Sequence, residues 1–305
     1  MYGTRTNGRR ENVRFGRLCI VNIYPRAIRR ASIDVTIATL NSGLTIEKCL
    51  QSILANIPAR SILVVDGGSV DDTLNIVRKY EATLVVERAL LGWTRYIQAK
   101  NCETEWIAYI DSDVYVYNSW WNNVSKYIDA PNVGMILGFA DAPVHKLPIY
   151  DAYLKHRAKR EGAVAFSNTL IRRSLVLECK DELKRVHAGE DDIIAKHIRR
   201  SGFTIITIPQ ALCYHDKDPF KSHPQAYYRS GQSARIHYGL RGTKAVFNAL
   251  PGITLAWWRF SRETRTYSLR LLIYLTHLWI KYASGFLSLS PKNPPHTVVN
   301  DNCSQ

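Results

Sequence analysis

Residues 109–116 read YIDSDVYV and place Asp111 and Asp113 on either side of Ser112, where an apolar run stops. Two carboxylates at i and i+2 on a turning backbone can converge on one hard divalent cation, because Mg²⁺ and Mn²⁺ take oxygen ligands and often bind through one or two carboxylates plus substrate phosphates. They can equally serve as turn residues, since Asp and Ser both hydrogen-bond to local backbone. A second acidic group stands in HAGEDD (187–192), where Gly189 permits a tight turn and Glu190, Asp191 and Asp192 fall in the first turn of a helix. Negative charge there suits the helix dipole whether or not it does chemistry. Asp66 closes another apolar run in SILVVDGGS, and His215 ends IPQALCYH.

The elements that would position these groups follow from periodicity. SIDVTIATLN (32–41) alternates and then runs apolar like a core strand; TIEKCLQSILANI (45–57) sets Ile46, Leu50, Ile53, Leu54 and Ile57 on one helical face. A strand ending at Asp66, the helical DDTLNIVRKY, the strand TLVVE (83–87), a helix over 92–102 and the strand EWIAYID (105–111) continue the pattern. Alternating strands and helices predict a mostly parallel α/β sheet, Rossmann-like, with flanking crossover helices. Such a fold builds its sites at the carboxyl ends of the strands. Asp66 and Asp111 both fall at such ends. Further on, helices are predicted over 119–129, 147–160 and 190–202, and strands over 133–139, 163–173 and 204–209.

In this order the motifs resemble the family-2 glycosyltransferases of GT-A fold: an Asn-containing turn after the first strand (TIATLN), VVDGGSVDDT after the second, the DxD-type DSD, the helix-opening AGEDD and a late histidine in IPQALCYH. The resemblance covers 33–216. It implies an inverting hexosyltransferase that moves sugar from a nucleotide-diphosphate sugar, uridine rather than guanosine, to an acceptor hydroxyl, assisted by Mg²⁺ or Mn²⁺. Ala38, Leu40, Asn41, Asp66, Gly68, Ser69, Arg95, Asp111, Ser112 and Asn168 then fall on the donor. Asp66 would hydrogen-bond the base, although Gly67 replaces the second acid of the usual pair and Leu40 stands where an aromatic residue is common. Arg95, sixteen residues before Asp111, would neutralise the nucleotide end. Asp111 would face the ribose, and Asp113 and His215 the metal. Asp191 would be the catalytic base, with Glu190 positioning acceptor or base and Asp192 a secondary acid. Arg172 and Arg173 either meet phosphate or end a basic strand; Trp120 and Trp121 either line the acceptor groove or pack in the core.

The net charge of +15 is uneven: residues 1–32 hold eight Arg and one Glu, and residues 217–281 eleven basic and two acidic residues, while the region between is close to neutral. A neutral domain flanked by basic segments fits contact with a polyanion. The arrangement predicted is a basic N-terminal segment (1–32), the catalytic domain (33–216), a basic aromatic helical region (217–290) and a tail (291–305). Fourteen uncharged residues (245–258) and a stretch broken only by Lys281 (271–289) are poor spans, and arginines between them oppose a hairpin through a bilayer. An interfacial arrangement with Trp257, Trp258, Tyr274, Trp279 and Tyr282 at an anionic membrane surface is expected. A single span at 271–289 and a packed helical subdomain are its competitors. Membrane contact would suit a lipid-linked glycan or polyprenyl-phosphate acceptor.

Six cysteines without a close pair, CxxC or leader point to the cytoplasm, at the cytoplasmic face of a membrane. Two other functions compete. The arginine-rich ends and 17 tyrosines could serve a nucleic-acid-binding module, but this leaves DSD and GEDD unexplained, and no nucleic-acid partner is expected. A metal-dependent phosphohydrolase or nucleotidyltransferase would use the same acids and release nucleoside monophosphate.

Overall fold

The computed structural model describes residues 33–141, 148–161, 166–217 and 219–288; the segments 1–32 and 291–305 and the start of the strand expected over 163–173 lie outside them. Strands β1 (Ile33–Thr39), β2 (Ala59–Asp66), β3 (Thr83–Val86) and β4 (Trp106–Asp111) alternate with helices α1 (Ile46–Asn56), α2 (Thr73–Val77) and α3 (Leu91–Asn101). They pair in parallel, β3-β2-β1-β4. The chain continues through β5 (Val114–Val116), α4 (Trp120–Val124), β6 (Val133–Asp141), α5 (Pro148–Glu161), β7 (Asn168–Arg172), α6 (Arg173–Leu177), α7 (Lys180–Leu183), α8 (Glu190–Arg200) and β8 (Thr204–His215). The complete sheet has eight strands in the order β3-β2-β1-β4-β7-β6-β8-β5. β6 and β8 are parallel, whereas β7 runs antiparallel to β4 and β6, and β5 antiparallel to β8. The sheet is therefore mixed.

Both faces are covered, and the period of two in the strands explains how. Val35, Ile37, Val64, Ala108 and Ile110 point to the face packed by Ile46, Cys49, Leu50 and Ile53 of α1, while Val65, Ile107 and Tyr109 point to the face packed by α3, α6 and α8. Leu54, expected on the buried face of α1, is exposed; it sits one residue past Ile53, and Cys49 completes the stripe in its place. Trp120 is fully buried and belongs to the core, and Trp121 packs at its edge.

Helices α9 (Pro219–Tyr238), α10 (Thr243–Thr264) and α11 (Leu269–Leu287) follow the last strand. Tyr150 and Tyr153 of α5 join Phe260, Leu271, Tyr274, Leu275 and Leu278 in a third core, and the Tyr150 hydroxyl lies 2.7 Å from His223 Nδ1. Among the described residues no helix is long and apolar enough to cross a membrane. The aromatic set expected at a membrane interface is largely engaged inside the fold: Tyr274 is buried, Trp257 Nε1 donates to the Ser268 carbonyl and Trp279 Nε1 to that of Val246. Trp258 alone of these three tryptophans is largely exposed. Burying an indole requires a partner for its N–H, and the neighbouring helices supply one.

Candidate active site at the strand ends

The turns after β1 and β2 are knitted to each other. Asn41 takes a positive φ of 53°, which Asn tolerates better than most residues. Its N–H donates to Ser69 Oγ (2.7 Å) and its Oδ1 accepts from Val70 N (2.9 Å). Asp66 is buried; Oδ1 accepts from Gly68 N (2.8 Å) and Ser69 N (2.7 Å), and Oδ2 from Ser69 Oγ (2.5 Å). Its carboxylate therefore shapes its own turn. Gly68 has φ 94°, and a Cβ there would stand 2.5 Å from Arg88 Nε. Leu40, Asn41 and Val70 of these turns are exposed, and Leu40 lies over Gly67. Ala38 is half-buried beside them, opposite Asp111 in the β1–β4 register.

β4 delivers Asp111 to the same edge, and the chain turns through Ser112 and Asp113 into β5. Because β5 pairs antiparallel with the end of β8, Val114 opposite His215, the late histidine lands beside the acids; Asp216 N donates to the Asp113 carbonyl (2.7 Å) and fixes this corner. One ligand atom from each of Asp111, Asp113 and His215 lies within 4.8 Å of the others. His215 Nε2 is 3.0 Å from Asp113 Oδ1, yet it is buried with no aligned hydrogen bond. Two donor atoms at van der Waals distance that do not point at each other are the arrangement of ligands converging on a third body. Two carboxylates and one imidazole, half-buried and open to phosphate oxygens or water, fit Mg²⁺ or Mn²⁺. The Ser112 and Ser42 hydroxyls meet at 2.8 Å beside the cluster.

The acidic loop is reached through one buried cation. Arg95 of α3 donates from Nη2 to Asp111 Oδ1 (3.2 Å), and its Nε stands 3.7 Å from Glu190 Oε1. Its guanidinium lies over the rings of Phe166 (5.1 Å) and Tyr109 (5.8 Å). Arg95 thus sits between the two acidic motifs, buried, and not on a helix surface. Burial alone would raise the Asp111 carboxyl; Arg95, with His215 and Lys217, outweighs it and holds the group below its ordinary value. Burial raises Glu190 against the pull of Arg95. Asp191 is pushed up to about 7, by burial first and then by the charge of Glu190. Its Oδ1 accepts from Asp192 N (2.9 Å).

The loop before α8 is held from two sides. Val186 accepts from Gly92 N (3.0 Å) at the start of α3, and Ala188 N donates to Ser233 Oγ (3.0 Å) of α9. Gly189 then takes φ 89°, and the chain enters α8 at Glu190.

Asn168 and the Arg172–Arg173 pair lie at opposite ends of β7. Asn168 is buried and its Nδ2 donates to the Gly138 carbonyl (3.1 Å), because β6 covers the start of β7. Arg172 and Arg173 lie at the opposite end of the sheet, since β7 is antiparallel and pairs Arg172 with Trp106 at the start of β4. Arg172 stacks on Trp106 (4.6 Å) and donates to the Val133 and Ala130 carbonyls, so neither phosphate reading applies. Sequence reasoning missed Lys217, whose charge acts on Asp111 and whose signal was its place two residues after His215. It also missed Ser233, for which the sequence carried no signal.

A mixed sheet with a DxD turn, a converging histidine and a carboxylate loop at its strand ends is the layout of a GT-A glycosyltransferase. Residues 34–175, just under half of the chain, match the family described as Glycosyl transferase family 2, and the match marks this α/β domain as that of a glycosyltransferase. A mycobacterial protein of known crystal structure resembles it in fold at 16% identity, with a TM-score of 0.50 over 66% of this chain and 73% of its own. Glucosyl-3-phosphoglycerate synthase from Mycobacterium tuberculosis, crystallised with Mn²⁺, UDP and glucosyl-3-phosphoglycerate, gives 0.47 at 17% identity over 63% and 75%. Residues 1–349 of TarS from S. aureus give 0.47 at 18% identity over 84% and 89%. No curated protein matches the chain.

Proposed function

We propose that the protein transfers a sugar, with inversion, from a uridine-diphosphate sugar to an acceptor at the cytoplasmic face of a membrane, either a hydroxyl of a lipid-linked glycan or the phosphate oxygen of a polyprenyl phosphate. The observation that carries the reading is Arg95, one buried cation in contact with both the DxD turn and the acidic loop. It supports a single site in which donor and acceptor machinery are fixed relative to each other.

In this reading the turns around Leu40, Asn41, Gly68 and Ser69 receive the nucleoside, with Asp66 acting through the turn it shapes. Asp111 and Ser112 face the ribose and diphosphate. Asp113, His215 and Asp111 would hold Mg²⁺ or Mn²⁺, which when bound would supply positive charge against the departing diphosphate. Asp191 takes the proton of the acceptor hydroxyl as that oxygen forms its bond to the anomeric carbon, while the bond from that carbon to the diphosphate oxygen breaks on the opposite face. Glu190, paired with Arg95, orients the loop and leaves Asp191 as the proton acceptor. An Asp base with a carboxyl near 7 combines basicity with availability at neutral pH.

Calorimetry with a panel of nucleoside diphosphates, with Mn²⁺ and then with excess chelator, tests the donor half; metal-dependent binding of UDP is expected, and no binding under either condition refutes it. Asp191→Asn should keep that binding and lower transfer by about 10²–10⁴-fold. Retention of most of the wild-type rate would remove Asp191 from the mechanism.

A further inference from the structure

Helix α11 turns one aliphatic stripe outward. Leu269, Ile273, Ile280 and Leu287 are 67%, 61%, 48% and 62% exposed, and at about 100° per residue they fall within about 40° of arc. Arg270, His277 and Lys281, all exposed, run along one flank of that stripe. The opposite face holds Leu271, Tyr274, Leu275, Leu278 and Phe286, all buried. A helix with one face already buried in a core ordinarily shows polar residues on the other. This one has no acid, and its outer face is apolar with a cationic edge. On neighbouring α10, Leu255 and Trp258 are also exposed, with the Arg262 guanidinium 5.3 Å over the Trp258 ring.

The charge decides what such a face accepts. Residues 217–281 carry eleven basic and two acidic residues, so a second copy meeting it symmetrically would bring like charge against like. Nucleic acid would use the cations and leave the aliphatic stripe in water. A lipid surface with anionic headgroups satisfies both features, with the side chains in the acyl boundary and the cations at the phosphates. We infer that this face of α11 seats the protein on an anionic bilayer, lying in the interface without crossing it. The inference rests on the proposed transferase only for its purpose, which is access to a membrane-borne acceptor.

The fold ties this face to the site. Gly231 of α9 and Gly285 of α11 cross so closely that a Cβ would stand 2.0 Å from the Tyr282 carbonyl oxygen in the first case and 1.9 Å from that of Tyr228 in the second. Two residues beyond Gly231, Ser233 holds the Ala188 amide just before Glu190. The docked helix and the base loop are thus joined through α9.

Flotation of the full chain with vesicles of phosphatidylcholine, alone and mixed with phosphatidylglycerol, tests the inference. Binding is expected only to the mixed vesicles, weakening with salt. Ile273→Asp combined with Ile280→Asp should lower partitioning at least about tenfold, and Arg270→Gln or Lys281→Gln about fivefold each. Ile273→Ser with Ile280→Ser gives the same direction with less risk to folding. Mn²⁺-dependent UDP binding should be unchanged in every variant, so a failed transferase reading would be seen separately. Binding to neither vesicle, binding that ignores these substitutions, or a dimer broken by them without vesicle binding would each overturn it.

Discussion

Asp34 at one end of the sheet and the DSD cluster at the other use their carboxylates in opposite ways. At the amino ends, Asp34 is fully buried and every oxygen is taken: Arg60 donates from Nε (2.9 Å) and Nη2 (3.1 Å), Ser61 from Oγ (2.6 Å), and the Glu103 and Thr104 amides at 2.6 and 3.1 Å. These bonds outweigh desolvation and hold the group below its ordinary value. At the carboxyl ends, Asp111, Asp113 and His215 converge, with Nε2 3.0 Å from Asp113 Oδ1 but in no aligned hydrogen bond. A strand aspartate that the protein satisfies completely is an anchor, whereas a cluster left with open positions is built for something that arrives later.

Substitution separates the two. Asp34→Ala takes the acceptor from the Glu103 and Thr104 amides and the Ser61 hydroxyl, while Arg60 keeps its pair with Glu103, and should destabilise the fold by about 2 kcal/mol or more, read as a lower denaturant midpoint with metal-dependent UDP binding intact in the folded fraction. Asp113→Asn should do the reverse: UDP affinity in Mn²⁺ falls about hundredfold, while stability stays within about 0.5 kcal/mol or rises as carboxylate repulsion is relieved. Equal stability losses at both positions would erase the distinction.

A pH profile sharpens it further. Asp191 must be ionised to accept a proton, so kcat/KM should fall about tenfold per unit below pH about 7 and level off above it. Glu190, Asp192 and Arg95 are the charges that act on it, and burial is the larger cause. The stability sign is opposite to that of Asp34. The folded state holds the Asp191 proton up to about 7 and the unfolded chain releases it sooner, so stability declines as pH rises between those points. Asp191→Asn should therefore melt higher than wild type at pH 8 while losing turnover. Asp34 contributes stability above the ordinary aspartate range, lost only as pH falls through its lowered value.

The anchored strands were the legible part. Alternation in β1, β2 and β4 specifies faces, and DSD at a strand end specifies an edge, so Asp111 and Asp113 could be placed from sequence. His215 could be placed only by resemblance, since its approach depends on β5–β8 register across 100 residues of chain. Strand direction was not legible: a five-residue strand reads the same both ways, and the antiparallel course of β7 carries Arg172 and Arg173 to the far end of the sheet. Nor was side-chain engagement. Asp66 and Asn168 have the right types at strand ends, but local donors capture the first and a covering strand the second. In α11 hydropathy located the helix, while packing decided that its aliphatic side, and not its aromatic side, faces outward.

Ser233 marks the limit of such reading and the smallest effect expected. It comes from a helix outside the sheet, carries no motif and meets the acidic loop through the Ala188 amide. Gly92 holds the same loop from the other side through the Val186 carbonyl. Losing one of two tethers should leave the loop in place but less well defined, and a neutral hydrogen bond contributes about 1 kcal/mol. Ser233→Ala should then lower kcat about fivefold with KM for the donor and UDP affinity unchanged, and Ser233→Thr, which keeps the hydroxyl, should restore most of the rate. An equal drop in UDP affinity would mean that α9 supports the whole site, and that donor and acceptor sides are less separable than the geometry of their anchors implies.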